Sequence, residues 1–555
     1  MIETVEFNVI EAASKLKECG HRQARGTGGM VVTAFPSASE AGVEMLRAGG
    51  NAIDAAVAAA WALAVCEPSG SGLGGQTTLL IRLAGGRTTV VDGHSHAPAA
   101  VSTKRVSRVQ QQKGYRACTI PSTPATLEFA RKRYGVLSRA AVMEPAIRLA
   151  QDGYAITKLQ RRQMKWCLNA LLASAATTKL FLRKERPCRI GEIFRQEELA
   201  ATLRRLADVG VEDFYKGRIA CAIVDDMARN GGLITEEDLA EYEVPIECEP
   251  VAIGYRGCKV VSVPPPGGGL NVLSGLKILE HIARDDLVRE NNKWYELLAE
   301  LTHAVFHERD RFAVHPRDVT PSLLEWFLGD ERASEIAERI ETCGCESAGR
   351  ADVEEPGETT HLCTMDREGN AVSLTQSIQS LFGAKVANGQ LGFLYNNYLC
   401  TCRRGRHPYR LGSACIPRSN IAPTLVLRTD LSRGTESRGD TRCAPELLLV
   451  LGAAGSRRIT SAILHVISGV LDRGVSLDEA VDLPRIHGLL SPKVHIEKPA
   501  ATETLLKRLE KRFREVKIRA HHSYFMGCVQ AIYVGDDKTL LGVADPRRDG
   551  AAAGF

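Results

Sequence analysis

The chain has 555 residues, 44% of them hydrophobic and 25% charged, with 71 Lys and Arg against 66 Asp and Glu. That length can bury a large core, and the excess of +5 is spread along the chain rather than gathered into a stripe, so no nucleic-acid partner is expected. The longest apolar run, Ala55 to Cys66, is too short to span a bilayer, so no membrane association is expected either.

The first 26 residues show no uninterrupted apolar stretch followed by small residues, so a cytoplasmic protein is expected. The 16 cysteines are dispersed, which suits reduced, mostly buried thiols. The pairs Cys343/Cys345 and Cys400/Cys402, the second followed by His407 and Cys415, lack the ligand spacing of zinc sites and are read as loop cysteines.

In chain order, GGMVVTAF reads as a strand. Pro36 to Glu40 then opens a helix that Ser37 is expected to cap, with Glu40 reaching back. It ends at Gly49-Gly50, and an alanine-rich helix runs from Asn51 to about Val65. Next come Glu67-Pro68-Ser69-Gly70-Ser71-Gly72-Leu73-Gly74-Gly75 and the strand TTLLIRLA. Gly70, Gly72 and Gly75 satisfy G-x-G-x-x-G, but a dinucleotide site needs strand, glycines, helix, and here the order is helix, glycines, strand. A tight turn against another backbone is expected instead.

Residues 124 to 250 read as mainly helical, with Thr235 capping one helix. Pro264-Pro265-Pro266-Gly267-Gly268-Gly269 is a connector before a helix from Leu270 to Ala283, and residues 292 to 340 are helical again. At Thr359 the character changes. Thr359 to Met365 and Asn370 to Ile378 form a hairpin around Asp366-Arg367-Glu368-Gly369, and CVQAIYV and LLGVADP form another. Thr429 to Thr441 reads as a surface loop. The chain is therefore helix-rich over 1–358 and sheet-rich over 359–555.

A threonine hydroxyl is a poor nucleophile without a base beside it. If the threonine begins a chain, its own α-amine, with a pKa near 8, can take the proton. Such a residue is made by cutting the backbone before it, and it belongs at the start of a strand. Thr359, after Pro356-Gly357-Glu358 and before a strand, has that layout, although β-propensity alone also places Thr-Thr at strand starts.

Several blocks, in order, resemble the gamma-glutamyltranspeptidase family. They are ASEAGVEMLRAGGNAIDAAVAAA, EPSGSGLGG, DGHSHAP, FYKG, GGLITEEDLAEY, VPPPGGG, ETTH, DREGNAVSLTQSIQSLFG, GFLYNN, IPRSNIAPTLV, GAAGSRRI and GVADPRRDGAAAGF. The resemblance spans residues 25 to 555 and implies a four-layer α-β-β-α sandwich of the N-terminal-nucleophile hydrolase type, an α+β fold. It implies self-cleavage between Glu358 and Thr359, giving a large fragment 1–358 and a small fragment 359–555 that together make one fold. Thr359 would then attack a carbonyl and pass the acyl group to water or an amine, with no cofactor and no metal. By the same resemblance Thr360 positions the nucleophile, and Ser377 and Gln379 replace a Thr and an Asn near the new amine. Gly455 and Ser456 match the glycine pair whose amides form the oxyanion hole.

The glutamyl pocket departs from the family. His94 stands at the position of the arginine that binds the α-carboxylate, and Thr401 at that of the aspartate that binds the α-amine. Tyr398 replaces another polar residue, Asn420 replaces the second of two serines, and Ser419 keeps the first. The loop from Leu399 to Pro417 is shorter. Two lost charge-assisted bonds amount to roughly 3–6 kcal/mol, or about two to four orders of magnitude in affinity, so a small-molecule substrate other than glutathione is expected. Arg403, Arg404, Arg418, Arg457 and Arg458 cluster around the pocket segments, where one could bind an acidic group. His94 and His96 share a strand face but lack a third ligand. The competing readings are a carbon–carbon bond hydrolase of the family's natural-product branch, which makes alkylproline units of antibiotics, and a non-catalytic binding homologue.

Overall fold

Strands buried on both faces must find a partner layer on each side. In the computed structural model, which describes residues 21–242, 245–342, 357–429 and 445–555, alternation sorts the side chains into three buried groups. Met30, Val32, Leu80, Cys363, Leu425, Val450 and Ile532 meet between two sheets. Their neighbours Val31, Leu79, Ile81, Leu362 and Leu374 turn to one helical layer, and Val426, Leu449, Leu451, Val529 and Ala531 turn to the other. The result is the expected α-β-β-α sandwich.

The sheet strands are β1 (Gln23–Gly26), β2 (Gly29–Thr33), β3 (Gln76–Arg82), β4 (Thr88–Gly93), β5 (Ile246–Cys248), β6 (Val251–Tyr255), β7 (Cys258–Ser262), β8 (Gly357–Asp366), β9 (Ala371–Ser380), β10 (Thr424–Arg428), β11 (Glu446–Ala454), β12 (Cys528–Val534), β13 (Leu540–Ala544) and β14 (Ala551–Gly554). One sheet runs β1-β13-β12-β11-β10-β7-β6 and the other β14-β2-β8-β9-β3-β4-β5. All pairings in them are antiparallel. Strands from before and after residue 358 contribute to both sheets. The short, closely spaced strands β5 to β7 follow a long helical stretch and did not stand out from it in the sequence.

Helices α1 (Pro36–Arg47), α2 (Ala52–Cys66), α3 (Thr123–Tyr134) and α4 (Arg139–Asp152) belong to one helical layer. Helices α5 (Gly269–Glu280), α6 (Asn291–Arg311) and α7 (Arg458–Leu471) belong to the other. Helix α1 corrects the Ser37 cap. It starts at Pro36, with Phe35 as cap and no side-chain cap bond, because proline suits the first helical position, where its missing N–H has no partner to lose. Helix α2 has a capping box from Asn51 and Asp54, and Thr235 caps its short helix with Asp238, as expected. The segment 292–340 holds three separate helices. Cys343 and Cys345 lie outside the described residues, as does nearly all of the loop from Thr429 to Thr441. Among the described residues no helix is long and apolar enough to cross a membrane.

Candidate active site

Strand β8 begins at Gly357, so the Glu358–Thr359 peptide lies within the sheet rather than just ahead of it. Glu358 sits opposite Gln379 and Thr360 opposite Gln376, so Thr359 alone faces Ser377 and Ile378 across a bulge. Such a bulge bends the strand and redirects a side chain. Thr359 Oγ1 donates to Ser377 Oγ at 3.2 Å, and Ser377 Oγ donates to the Glu358 carbonyl at 2.7 Å. The Gln379 amide donates to the same Ser377 oxygen at 2.9 Å. Gln379 has φ of 80°, a left-handed backbone that a side chain seldom adopts.

The glycine segment after α2 packs against this peptide. A Cβ at Gly75 would lie 2.3 Å from the Ser377 carbonyl oxygen, and one at Gly74 2.1 Å from that of Leu394. Ser69 and Gly70 carbonyls accept from Phe382 and Ile378 amides. These glycines let backbones approach, as expected of a turn. At the head of the segment, Glu67 joins Arg548 and Glu358 in a buried cluster. Arg548 Nη1 lies 3.1 Å from Glu67, 2.5 Å from Glu358 Oε1 and 2.7 Å from the Thr359 carbonyl, to which it donates. Burial pushes the Glu67 carboxyl up to about 7, with Arg548 opposing and Glu358 adding to the rise. Thr360 is fully buried beside Glu67. Sequence reading missed Glu67 and Arg548. The only trace was a pair of arginines directly after Asp545-Pro546 in an otherwise apolar end.

Gly455 (φ 126°) and Ser456 (φ 57°) form a left-handed turn between β11 and α7. A Cβ on Gly357 would come within 2.3 Å of Ser456 Cβ, so the start of β8 lies directly on this turn. Tyr398 is buried, and hydrogen bonds to Ser377 and Gln76 partly offset the upward push of burial on its phenol.

Beside this peptide opens a cavity of about 550 Å³. Of the residues singled out in the sequence, Gln379, Thr401, Asn420 and Ser456 line it, as do Arg403, Arg404, Arg418, Arg457 and Arg458. His94, Tyr398 and Ser419 do not. The His94 ring is buried against Asp92, two residues back, while the Thr401 hydroxyl donates to the Tyr398 carbonyl. Arg309 on α6 also lines the cavity, donating to Asn420 Oδ1 and to the Ser419 carbonyl. It too was missed, because a charged helical stretch shows no sign of which face turns inward. Cys402 and Cys415 Sγ atoms are 3.6 Å apart. Among the described residues, the group of three potential metal ligands within mutual reach is Asp482, His521 and His522, not the loop cysteines.

Residues 38–555 match the gamma-glutamyltranspeptidase family. The chain is 31% identical over 558 residues to the glutathione hydrolase proenzyme of Escherichia coli K12, covering 96% of this chain and 92% of that one. It is 33% identical over 555 residues to the acylase ACY 1 proenzyme of Pseudomonas sp. SE83, covering 96% and 94%. The crystal structure of cephalosporin acylase from Bacillus halodurans matches with a TM-score of 0.84 at 28% identity, covering 96% and 97%.

Proposed function

Because this chain belongs to the gamma-glutamyltranspeptidase family of hydrolases and transferases, we propose that it is a precursor that cuts its own Glu358–Thr359 peptide. Thr359 then moves the acyl group of a small amide-like substrate, other than glutathione, onto water or an amine. The observation that carries this reading is the line of hydrogen bonds from Thr359 Oγ1 through Ser377 Oγ to the Glu358 carbonyl at the bulge.

Thr359 Oγ1 adds to the Glu358 carbonyl carbon while its proton passes to Ser377 and the Ser377 proton passes to the carbonyl oxygen. The tetrahedral species collapses as the C–N bond breaks and nitrogen takes that proton to become a free amine, leaving Glu358 esterified to Thr359. Water cleaves the ester, freeing fragments 1–358 and 359–555. The new α-amine, with a pKa near 8, then takes the hydroxyl proton when Thr359 attacks substrate.

Gly455 and Ser456 supply backbone amides to the substrate's oxyanion, each contributing about 3–4 kcal/mol. The serine keeps that donor because it holds the left-handed turn. Gln379, Thr401 and Asn420 face the substrate from the cavity wall, and Thr360, Tyr398 and Ser419 hold the site from within. His94, committed to Asp92, does not take over the role of the arginine it replaces. The names of the relatives, glutathione hydrolase and acylase, support one chemistry on varied acyl groups.

The test is a denaturing gel. The purified protein runs as two fragments and Thr359→Ala as one chain, and an unbroken wild-type chain that turns over substrate refutes the mechanism. Ser377→Ala slows self-cleavage about 10²- to 10³-fold, the loss expected for one donor to a developing oxyanion. Wild-type turnover of a gamma-glutamyl anilide is weak, and robust turnover would refute the altered specificity.

A further inference from the structure

Among the described residues, eight arginines and a single acid, Asp310, line the cavity beside Thr359. Asp310 is already committed, 2.7 Å from Arg403 and 3.3 Å from Arg418. Arg309 and Arg404 spend their bonds on neutral acceptors: the Ser419 carbonyl and Asn420 amide for the first, the Val106 carbonyl and Gln111 amide for the second. Helix α7 starts at Arg458 in the same wall, adding the positive end of its dipole. Burial lowers the Arg309 pKa far below its usual range, with Arg418 and Arg457 adding to the drop, and burial brings Arg418 down to about 10. Crowded like charges in a half-enclosed space raise the free energy until anions balance them.

We propose that this cavity binds an acyl substrate carrying at least two anionic groups, carboxylates or phosphates, and no ammonium group. At least two groups follow from the charge balance: among the described residues the eight guanidinium groups of this wall face one carboxylate, which two of them already hold. An ammonium is disfavoured because, among the described residues, the one carboxylate lining the cavity is already held by two guanidinium groups. The identity of the substrate rests on the role of Thr359 given above, whereas anion binding itself does not.

The uncleaved Thr359→Ala chain has this cavity, so calorimetry on it with tricarballylate and with inorganic pyrophosphate tests the site directly. At least one of them binds, and whichever binds more tightly identifies carboxylate or phosphate as the preferred group. Affinity falls at least tenfold between 50 and 300 mM salt, and again at least tenfold in Arg457→Ala or Arg403→Gln. No binding, or binding indifferent to salt and to both substitutions, overturns the proposal. With cleaved wild type, glutaryl-3-carboxy-4-nitroanilide is hydrolysed with kcat/KM at least tenfold above its gamma-glutamyl counterpart, which differs by one ammonium. An equal or reversed preference also overturns it. Loss of anion binding in a protein that still self-cleaves removes the site and leaves the nucleophile. Anion binding without self-cleavage removes the nucleophile and leaves the site.

Discussion

A methyl group at position 357 would come within 2.3 Å of Ser456 Cβ, closer than real Cβ atoms approach anything. Glycine is thus required there by the approach of the Ser456 side chain rather than by its own dihedral angles, and that approach holds the Glu358–Thr359 peptide, the proposed cleavage site, against the Gly455–Ser456 turn. Gly357→Ala accordingly slows self-cleavage at least tenfold, and adding Ser456→Gly, which removes the opposing Cβ, restores most of the rate in a gel time course. Failure of the second substitution to help would mean the contact is not what positions the peptide. The same residues show why the site was partly legible. Thr359 and Ser377 carry the hydroxyls that the proposed chemistry uses, whereas Gly357 matters only for what it lacks.

Strand β8 serves two layers at once. Leu362 and Thr364 face helix α2, where Thr364 Oγ1 donates to the Ala52 carbonyl. His361 and Cys363 face the second sheet, and His361 sits where a Cβ on Gly452 of β11 would be 2.3 Å from its ring. Burial lowers the His361 pKa from 6.5 to about 3. The folded protein therefore binds fewer protons than the unfolded chain between pH 6.5 and 3. The stability this neutral ring contributes is complete above pH 6.5 and is lost as pH falls through 3. Thermal melts of His361→Gln should show a shallower acid limb than wild type by one proton, with the two curves parallel above pH 7. An unchanged limb would show that the ring is not held neutral. Its hydrogen bond to Thr375 at 2.8 Å, on the neighbouring strand, makes it a structural residue and not a base for Thr359.

At the scale of the molecule, both sheets interleave strands from either side of residue 358. Strand β8 of the second part lies between β2 of the first and β9 of the second, and β14 closes that sheet against β2. Separating the two fragments would expose every ladder between them and all three buried clusters. Cut as proposed, the protein therefore elutes in size exclusion at the mass of the intact chain and parts only in denaturant. Fragment 359–555 expressed alone does not fold, as its circular dichroism and proteolysis would report. A fragment that folded alone would refute this interleaved dependence.

The amino-acid sequence by itself carried the class of fold and the family, and it supplies the grounds for proposing Thr359 as nucleophile beside an altered pocket. These depend on local features that a chain carries with it: strand and helix periodicity, a threonine behind a glycine and glutamate, and ordered blocks of residues. It named five arginines of the pocket wall but not Arg309, nor how these charges meet in space. Arg309, Arg418 and Arg457 lie on a helix, a loop and the turn before another helix, and Glu67 and Arg548 are 481 positions apart. Charges so distant in the chain acquire a shared meaning only when packing removes the water between them, because in water each would be screened and in a buried cavity each feels the others.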